Sequence, residues 1–176
     1  IHLAAIVGDP ACAKDEALAE QTNWLGSKLL FDLSVSRETV KRFVFASTCS
    51  NYGKMKGDGF VDESATLRPV SLYAELKVRF ERYLLDSSSR PDFVPTALRF
   101  ATVYGLSPRM RFDLTVNEFM LEVSRGRELK IFGEQFWRPY CHVDDLARSC
   151  GIVLDANPDV VRHAVFNVGD TSENYQ

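Results

Sequence analysis

Residues 42–47 read Arg-Phe-Val-Phe-Ala-Ser, a run of strand length that is apolar over most of its course. Similar short apolar runs occur at residues 1–5 and 94–100, with a weaker one at 165–168. Longer segments of helical period lie between them. Nearly continuous apolar runs are typical of strands buried on both faces, and strands that alternate with helices are typical of a parallel sheet with crossover connections. The predicted fold class is therefore α/β.

Two helices are predicted between these runs. In residues 17–36, apolar positions recur at spacings of four, three, four and four and mark one face of a long helix: Leu18, Thr22, Leu25, Leu29 and Leu33. In residues 73–86, a second set forms a stripe that we expect to be buried: Leu76, Phe80, Tyr83 and Leu84. The polar stretch at 87–91, which ends in Pro91, terminates this helix.

The pattern of apolar and polar residues changes after Gly105. A loop is predicted at residues 106–111, then an amphipathic helix that ends near Gly126 and carries Val116, Phe119, Met120 and Val123. A short strand is expected at 129–132 and an aromatic, basic loop at 133–139. Asp144 or Asp145 is expected to cap a further helix. We therefore divide the chain into residues 1–105 and a smaller region, residues 106–176, that returns one helix and one strand to the core.

Composition excludes several classes of protein. The chain has 21 Lys+Arg and 24 Asp+Glu, a net charge of −3, and 45% hydrophobic residues, which is ordinary for a globular protein. Charged residues interrupt every apolar stretch before it reaches the length of a membrane span, and no basic patch suggests nucleic acid. The four cysteines form no CxxC pair and have no histidine at zinc-ligand spacing, so no metal site is predicted. We expect reduced thiols and a cytoplasmic location; the alternative is a disulfide in a secreted domain.

The stretch Tyr73-Ala74-Glu75-Leu76-Lys77 carries the clearest chemical signal. A spacing of four places Tyr73 and Lys77 on one helical face, after a strand that ends in Ser47-Thr48. An ammonium close to a phenol favours the phenolate, so Lys77 is predicted to lower the Tyr73 pKa from about 10 and make it a general base. The Thr48 hydroxyl is expected to orient the same substrate oxygen. Taken alone, the pentapeptide is also compatible with a half-buried tyrosine and a solvated lysine.

Several further blocks accompany this pair in a fixed order. They are residues 1–5 (IHLAA), 43–53 (FVFASTCSNYG), Tyr73-xxx-Lys77, 98–105 (LRFATVYG), 138–145 (RPYCHVDD) and 166–169 (FNVG). Together they resemble the extended short-chain dehydrogenase/reductase family, and more narrowly its NAD-dependent nucleotide-sugar epimerase/dehydratase branch. The resemblance implies a Rossmann-type, doubly wound parallel sheet that binds NAD, with NADP not excluded, and holds a nucleotide-sugar against a smaller C-terminal part.

The resemblance also implies a role for individual residues. The catalytic group is Thr48, Tyr73 and Lys77. The cofactor-binding positions are Leu3, Ala4, Ala5, Asn23, Ala46, Ser47, Tyr73, Lys77 and Phe100. The substrate-binding positions are Thr48, Cys49, Thr102, where many members have Asn, and Arg138, which matches an arginine that clamps the sugar-nucleotide phosphates.

The reaction itself depends on the residues after Thr48. The resembling 4,6-dehydratases have Asp and Glu there, whereas this chain has Cys49 and Ser50, so a 4-epimerase or a keto-sugar reductase is favoured over a dehydratase. Cys49 is interpreted mainly as a packing residue and alternatively as an acid/base. Two other readings stay open: a catalytically inactive dinucleotide-binding relative, and a reductase of small carbonyl compounds, against which Arg138 argues.

Two expectations concern the surroundings of this region. The glycine-rich cofactor turn of the family is absent from these residues, so we expect the first βαβ units before Ile1 and a truncated C-terminal part. The resemblance further implies a homodimer that packs helices such as 17–36 and 73–86 against their symmetry mates.

Overall fold

The computed structural model describes residues 1–54, 60–131, 133, 137–169 and 174–175. Its strands are β1 (Arg42–Thr48), β2 (Val94–Phe100), β3 (Thr102–Tyr104), β4 (Arg138–His142), β5 (Ala164–Val168) and β6 (Asn174–Tyr175). Its α-helices are α1 (Asp9–Lys14), α2 (Glu16–Ala19), α3 (Ser27–Ser36), α4 (Leu72–Leu85), α5 (Thr115–Ser124), α6 (Val143–Asp155) and α7 (Pro158–Val161). A π-helical segment, Glu20–Gly26, joins α2 to α3, and a 3₁₀ turn, Cys49–Tyr52, follows β1.

The main sheet is parallel and has the order β1-β2-β5. Residues 1–5, predicted as a strand, lie along the other edge of β1 but pair with it only through His2. The His2 amide donates to the Val44 carbonyl at 2.8 Å, and the Ala46 amide donates to the His2 carbonyl at 3.1 Å. A second, smaller sheet has the order β3-β4-β6, with β6 antiparallel. The predicted α/β class and parallel sheet are confirmed.

Helices cover both faces of the main sheet, as expected for a doubly wound fold. On one face, aromatic residues of β1 pack against α3 and α4 in a cluster formed by Phe31, Phe43, Phe45, Phe80, Leu84, Phe93 and Ala97. On the other face, α6 and α7 pack in a cluster formed by Val44, Val94, Leu98, Phe100, Cys150, Val153 and Val161. Alternate residues of β1 enter opposite clusters, which follows from the two-residue period of a strand.

The predicted helix at 17–36 is present, but its leucine face points outward. Leu18, Leu25, Leu29 and Leu33 are each about half exposed or more. The residues that face the core are instead Ala19, Asn23, Ser27 and Phe31, spaced four apart. Three of these four side chains are small or polar, which lets the helix approach the sheet closely, and Asn23 and Ser27 hydrogen-bond to the segment next to β1.

The predicted helix at 73–86 corresponds to α4. Its N-cap is Ser71, whose hydroxyl accepts from the Ala74 amide and donates to Asp9 at 2.6 Å. Its buried residues include Leu76, Phe80 and Leu84, as predicted.

The second region differs from prediction in two places. Residues 129–131 do not form a strand; the strand that pairs with β3 is β4, which begins at Arg138 inside the predicted loop. The N-cap of α6 is the His142 ring, whose Nδ1 accepts from the Asp144 amide at 3.3 Å, so the predicted aspartate cap is wrong. His142 takes this place because its backbone is the extended residue that precedes the first turn. Gly126, with φ of 65°, ends α5 as predicted.

Two general properties of the chain complete the description. Within the described ranges, every helix falls short of the length and apolarity that crossing a bilayer would demand. The four cysteines are all free thiols.

Candidate active site

The site is built where the parallel strands of the main sheet end. Thr48, the last residue of β1, is aligned with Phe100, the last residue of β2. Helix α4 begins beside them and brings Tyr73 and Lys77 to the same edge. Ligands of open parallel sheets bind at the carboxyl ends of the strands, so this edge is where the fold favours a site.

Lys77 is held in the interior beneath this edge. Its side chain is 5% exposed, and its ammonium donates to the Ala46 carbonyl at 2.6 Å. The ammonium also lies 4.7 Å from the centre of the Phe45 ring and 5.8 Å from that of Tyr73. Burial lowers the pKa of Lys77 to about 8, which still leaves the side chain mostly charged at neutral pH. The solvated-lysine alternative is therefore wrong.

Tyr73 departs from the predicted electrostatics. The pKa of Tyr73 is raised to about 12. Burial is the largest cause, and repulsion from Cys12, Cys49 and Asp9 raises the pKa further, while a hydrogen bond with Thr48 lowers it. The prediction that Lys77 lowers this pKa is wrong for this structure, because the ammonium is directed to the Ala46 carbonyl and desolvation of the phenolate dominates.

Thr48 and Cys49 stand at the start of the 3₁₀ turn. The Thr48 hydroxyl accepts from the Ser50 amide at 3.2 Å and contributes to the hydrogen bonding of both Tyr73 and Cys49. Burial raises the pKa of the Cys49 thiol, against the opposing charge of Arg138. The thiol is therefore neutral at physiological pH, which agrees with its interpretation as a packing residue and not with a thiolate base.

The segment Leu3-Ala4-Ala5 forms the other wall of this edge, with the Leu3 and Ala4 side chains exposed. Behind it, the Asn23 amide clamps Ile6: the Ile6 amide donates to Oδ1 at 2.8 Å and Nδ2 donates to the Ile6 carbonyl at 2.9 Å. Asn23 is thus a buried support of the turn, and its assignment to cofactor binding stays a prediction. Direct contact with a cofactor is a prediction for residues 3–5.

The predicted substrate residues come from the smaller sheet. Thr102, in β3, is aligned with Tyr140 of β4, two residues after Arg138. Arg138 is exposed, and its positive charge opposes the rise in the pKa of the Cys49 thiol, so the two side chains lie within electrostatic reach of each other. Contact of Thr102, Cys49 and Arg138 with substrate stays a prediction.

One part of the site was missed by sequence reasoning. The Ser47 hydroxyl donates to the Glu81 carboxylate at 2.6 Å, and Glu81 pairs with Arg99 of β2 at 2.5 Å; both charged side chains are at most 5% exposed. Because the Ser47 hydroxyl is engaged by Glu81, we expect any contact of Ser47 with a cofactor to be made by its backbone. The available signal was Arg99 itself, because a cation inside an apolar strand requires a buried partner.

The comparisons with known proteins agree with this geometry. A model of the NAD dependent epimerase/dehydratase family matches residues 1–169. The chain belongs to the NAD dependent epimerase/dehydratase family. The extended short-chain dehydrogenase/reductase resemblance, with its nucleotide-sugar epimerase branch, is confirmed.

Individual relatives of this family member are similar over nearly its whole length. A probable UDP-glucuronate 4-epimerase of Rhizobium meliloti is 30% identical over 97% of the chain, which covers 53% of that protein. Among solved structures, a UDP-glucose 4-epimerase of Thermotoga maritima with UDP-glucose is 30% identical with a TM-score of 0.83, over 96% of this chain and 54% of that one. A UDP-glucuronic acid 4-epimerase of Bacillus cereus, in complex with UDP-glucuronic acid and NAD, is 26% identical with a TM-score of 0.83, over 97% and 53%. The chain spans about half the length of the relatives it matches.

Proposed function

We propose that the protein is an NAD-dependent epimerase that inverts C4 of a UDP-sugar, with Thr48, Tyr73 and Lys77 as its catalytic group. The observation that carries the proposal is the meeting of these three side chains at the carboxyl end of β1. The three relatives described above are named as epimerases of UDP-glucose or UDP-glucuronic acid, which supports a UDP-sugar as the substrate class.

The residues at this edge fit NAD. Within the part of the chain that the structure describes, Lys77 makes one hydrogen bond, which leaves two ammonium hydrogens for another acceptor. No backbone hydrogen bond of Leu3, Ala4 or Ala5 occurs among the described residues, so these groups are available to a ligand. We place the cofactor against Leu3, Ala4, Ala5, Ala46, Ser47, Tyr73, Lys77 and Phe100, with Asn23 behind the turn. NADP is the alternative cofactor.

The chain's own residues supply proton transfer and orientation. Bound NAD supplies a reversible hydride acceptor and a positive charge. Tyr73 takes the proton from the sugar hydroxyl and later returns it, while the Thr48 hydroxyl orients the same oxygen. The high pKa of Tyr73 in this structure makes its phenolate a strong base once the phenol is deprotonated, and the Thr48 hydrogen bond favours that deprotonation. The Lys77 ammonium lies beside the end of β1, where it donates to the Ala46 carbonyl.

The residues after Thr48 support an epimerase over a dehydratase. Elimination of water needs an acid and a base near the neighbouring carbons, and this chain has Cys49 and Ser50 there. Because burial keeps the Cys49 thiol neutral, it does not replace the missing carboxylates. Arg138, whose charge acts on Cys49 at the end of β1, is suited to the diphosphate and supports a nucleotide-sugar over a small carbonyl compound.

The test compares two tyrosine variants of the full-length protein. Tyr73→Phe is expected to reduce turnover of UDP-glucose or UDP-glucuronic acid about 10²- to 10⁴-fold, the usual contribution of a general acid/base. Tyr83→Phe is the matched control. It removes a hydroxyl on the same helix but far from the site, one that donates to Asp32 at 2.6 Å, and turnover should stay within twofold.

Each alternative has a distinct outcome in the same assay. Equal turnover by Tyr73→Phe and wild type contradicts the proposed catalytic group. Bound NAD without turnover of either sugar indicates an inactive relative, and net consumption of NADH with a keto-sugar indicates a reductase.

We also infer a homodimer built on the outward leucine face of residues 18–33. Leu25 and Leu29 are 52% and 61% exposed on one side of a helix, and apolar stripes of this kind are usually covered by a partner. Leu29→Glu should convert the dimer to a monomer in light scattering. Leu106→Glu is the control, since Leu106 is more exposed but lies in a separate loop. A wild-type monomer would contradict the inference.

The four free thiols support a cytoplasmic, reducing location.

A further inference from the structure

Helix α4 carries a third polar residue in line with the catalytic pair. Tyr73, Lys77 and Glu81 are spaced four apart, so they lie on one face of the helix in successive turns. Glu81 is 1% exposed and lies one turn deeper than Lys77. No step of the proposed reaction uses this carboxylate.

The Glu81 carboxylate gathers donors from three other elements. It accepts from the Ser47 hydroxyl at 2.6 Å and from Asn51 Nδ2 at 3.2 Å. It also accepts from Arg99, through Nε at 3.2 Å and Nη2 at 2.5 Å. Asn51 Nδ2 additionally donates to the Ser47 hydroxyl at 2.9 Å. One buried charge therefore ties the end of β1, the 3₁₀ turn and β2 to the helix that bears Tyr73.

Arg99 extends the same connection across the sheet. Its Nη1 donates to the Tyr52 hydroxyl at 2.8 Å, and the Tyr52 hydroxyl donates to Asn167 Oδ1 at 2.6 Å. Tyr52 ends the 3₁₀ turn, and Asn167 lies in β5. The C-terminal end of the turn that follows Thr48 is thus fixed to the buried Arg99 side chain, and Asn51 within the turn is fixed to Glu81.

We propose that Glu81 is a positioning residue that holds Thr48 in register with Tyr73. In the sequence, Thr48 lies between two residues that hydrogen-bond to this carboxylate, Ser47 before it and Asn51 after it. Tyr73 is on the same helix as Glu81. The carboxylate therefore sets the separation of the two hydroxyl groups that act on one substrate oxygen. This proposal rests on the proposed function.

The obvious variant, Glu81→Gln, leaves Arg99 without a countercharge in the interior and threatens the fold. Ser47→Ala is the sharper test, because it breaks the link between β1 and Glu81 and leaves the ion pair intact. Thr96→Val is the control: like Ser47→Ala it removes a buried hydroxyl, here one that donates to the Val161 carbonyl at 2.7 Å, in a neighbouring strand and away from the site.

In the full-length protein with NAD, Ser47→Ala is expected to lower kcat about tenfold, since small misplacements of reacting groups reduce rates strongly. KM for the UDP-sugar and the affinity for NAD should stay within twofold. The acid limb of the kcat profile should move to higher pH, because the Thr48 hydrogen bond lowers the pKa of Tyr73. Thr96→Val should lose a similar amount of thermal stability with unchanged kcat.

A crystal structure of each variant gives a second readout that does not depend on turnover. The distance between the Thr48 and Tyr73 hydroxyl oxygens should increase in Ser47→Ala and stay the same in Thr96→Val. Equal kcat values for the two variants, or an unchanged oxygen distance in Ser47→Ala, would overturn the proposal. Absence of turnover in the wild type would instead count against the proposed function, and the crystal structures would still decide the positioning.

Discussion

Helices α4 and α5 carry similar apolar stripes but occupy different settings. Helix α4 buries Ala74, Leu76, Lys77, Val78, Phe80, Glu81 and Leu84, whereas no residue of α5 is buried among those described. The proposed catalytic side chains stand on the buried helix and the adjoining strand ends. The difference teaches that the proposed reacting groups stand on a closely packed helix, whereas α5, in the region proposed to bind substrate, has no buried residue among those described.

The variant with the largest expected effect on this comparison removes one buried charge. Glu81→Gln should lower the free energy of unfolding by about 3–5 kcal/mol, because it leaves Arg99 unpaired in the interior. The same change on α5, Glu118→Gln, affects an exposed side chain and should change stability by less than about 0.5 kcal/mol. Urea denaturation of both variants measures the difference. Equal effects would mean that the two helices do not differ in the way their packing suggests.

A second test uses the pH dependence of Lys77. Its folded pKa of about 8 lies below the usual value of 10.5, so between these limits the unfolded chain binds more protons than the folded protein. Stability from this group therefore rises with pH, by about 2 kcal/mol between pH 8 and pH 10. Denaturation curves of wild type and Lys77→Met over this range should diverge accordingly. Parallel curves would show that Lys77 titrates normally.

The smallest test concerns how each helix begins. The Ser71 hydroxyl caps α4, whereas the N-cap of α5, Leu114, provides no side-chain hydrogen bond. Ser71→Ala should therefore lower the free energy of unfolding by about 1 kcal/mol. Ser36→Ala, which removes an exposed hydroxyl bonded to the Leu33 carbonyl, is the control and should have a smaller effect. A negligible effect of Ser71→Ala would indicate that packing alone sets the start of α4.

Much of the main sheet was predictable from local patterns. Apolar runs at β1, β2 and β5 and the stripe of α4 follow from burial on both faces of a parallel sheet. The motif of Tyr73 and Lys77 then predicted a candidate site beside the end of β1, where helix α4 begins. The direction of the leucine face at 18–33 was not predictable in the same way, because an apolar stripe faces either the core or a partner.

Residues 129–131 and the His142 cap show a related limit. A short apolar segment forms a strand only where a neighbour is free to pair with it, and β3 pairs with β4 instead. The cap of α6 depends on the backbone angle at which β4 ends, which sequence composition does not specify.

Sequence by itself determined the fold class, through local periodicity, and the pair of catalytic candidates, through a short motif. The ordered blocks of sequence carried the resemblance to the family. Tertiary structure alone decided the electrostatics. The high pKa of Tyr73 comes from burial among distant residues, and the Glu81–Arg99 pair joins residues of a helix and a strand 18 positions apart. Desolvation and buried ion pairing depend on which groups share the interior, and only the packed chain brings those groups together.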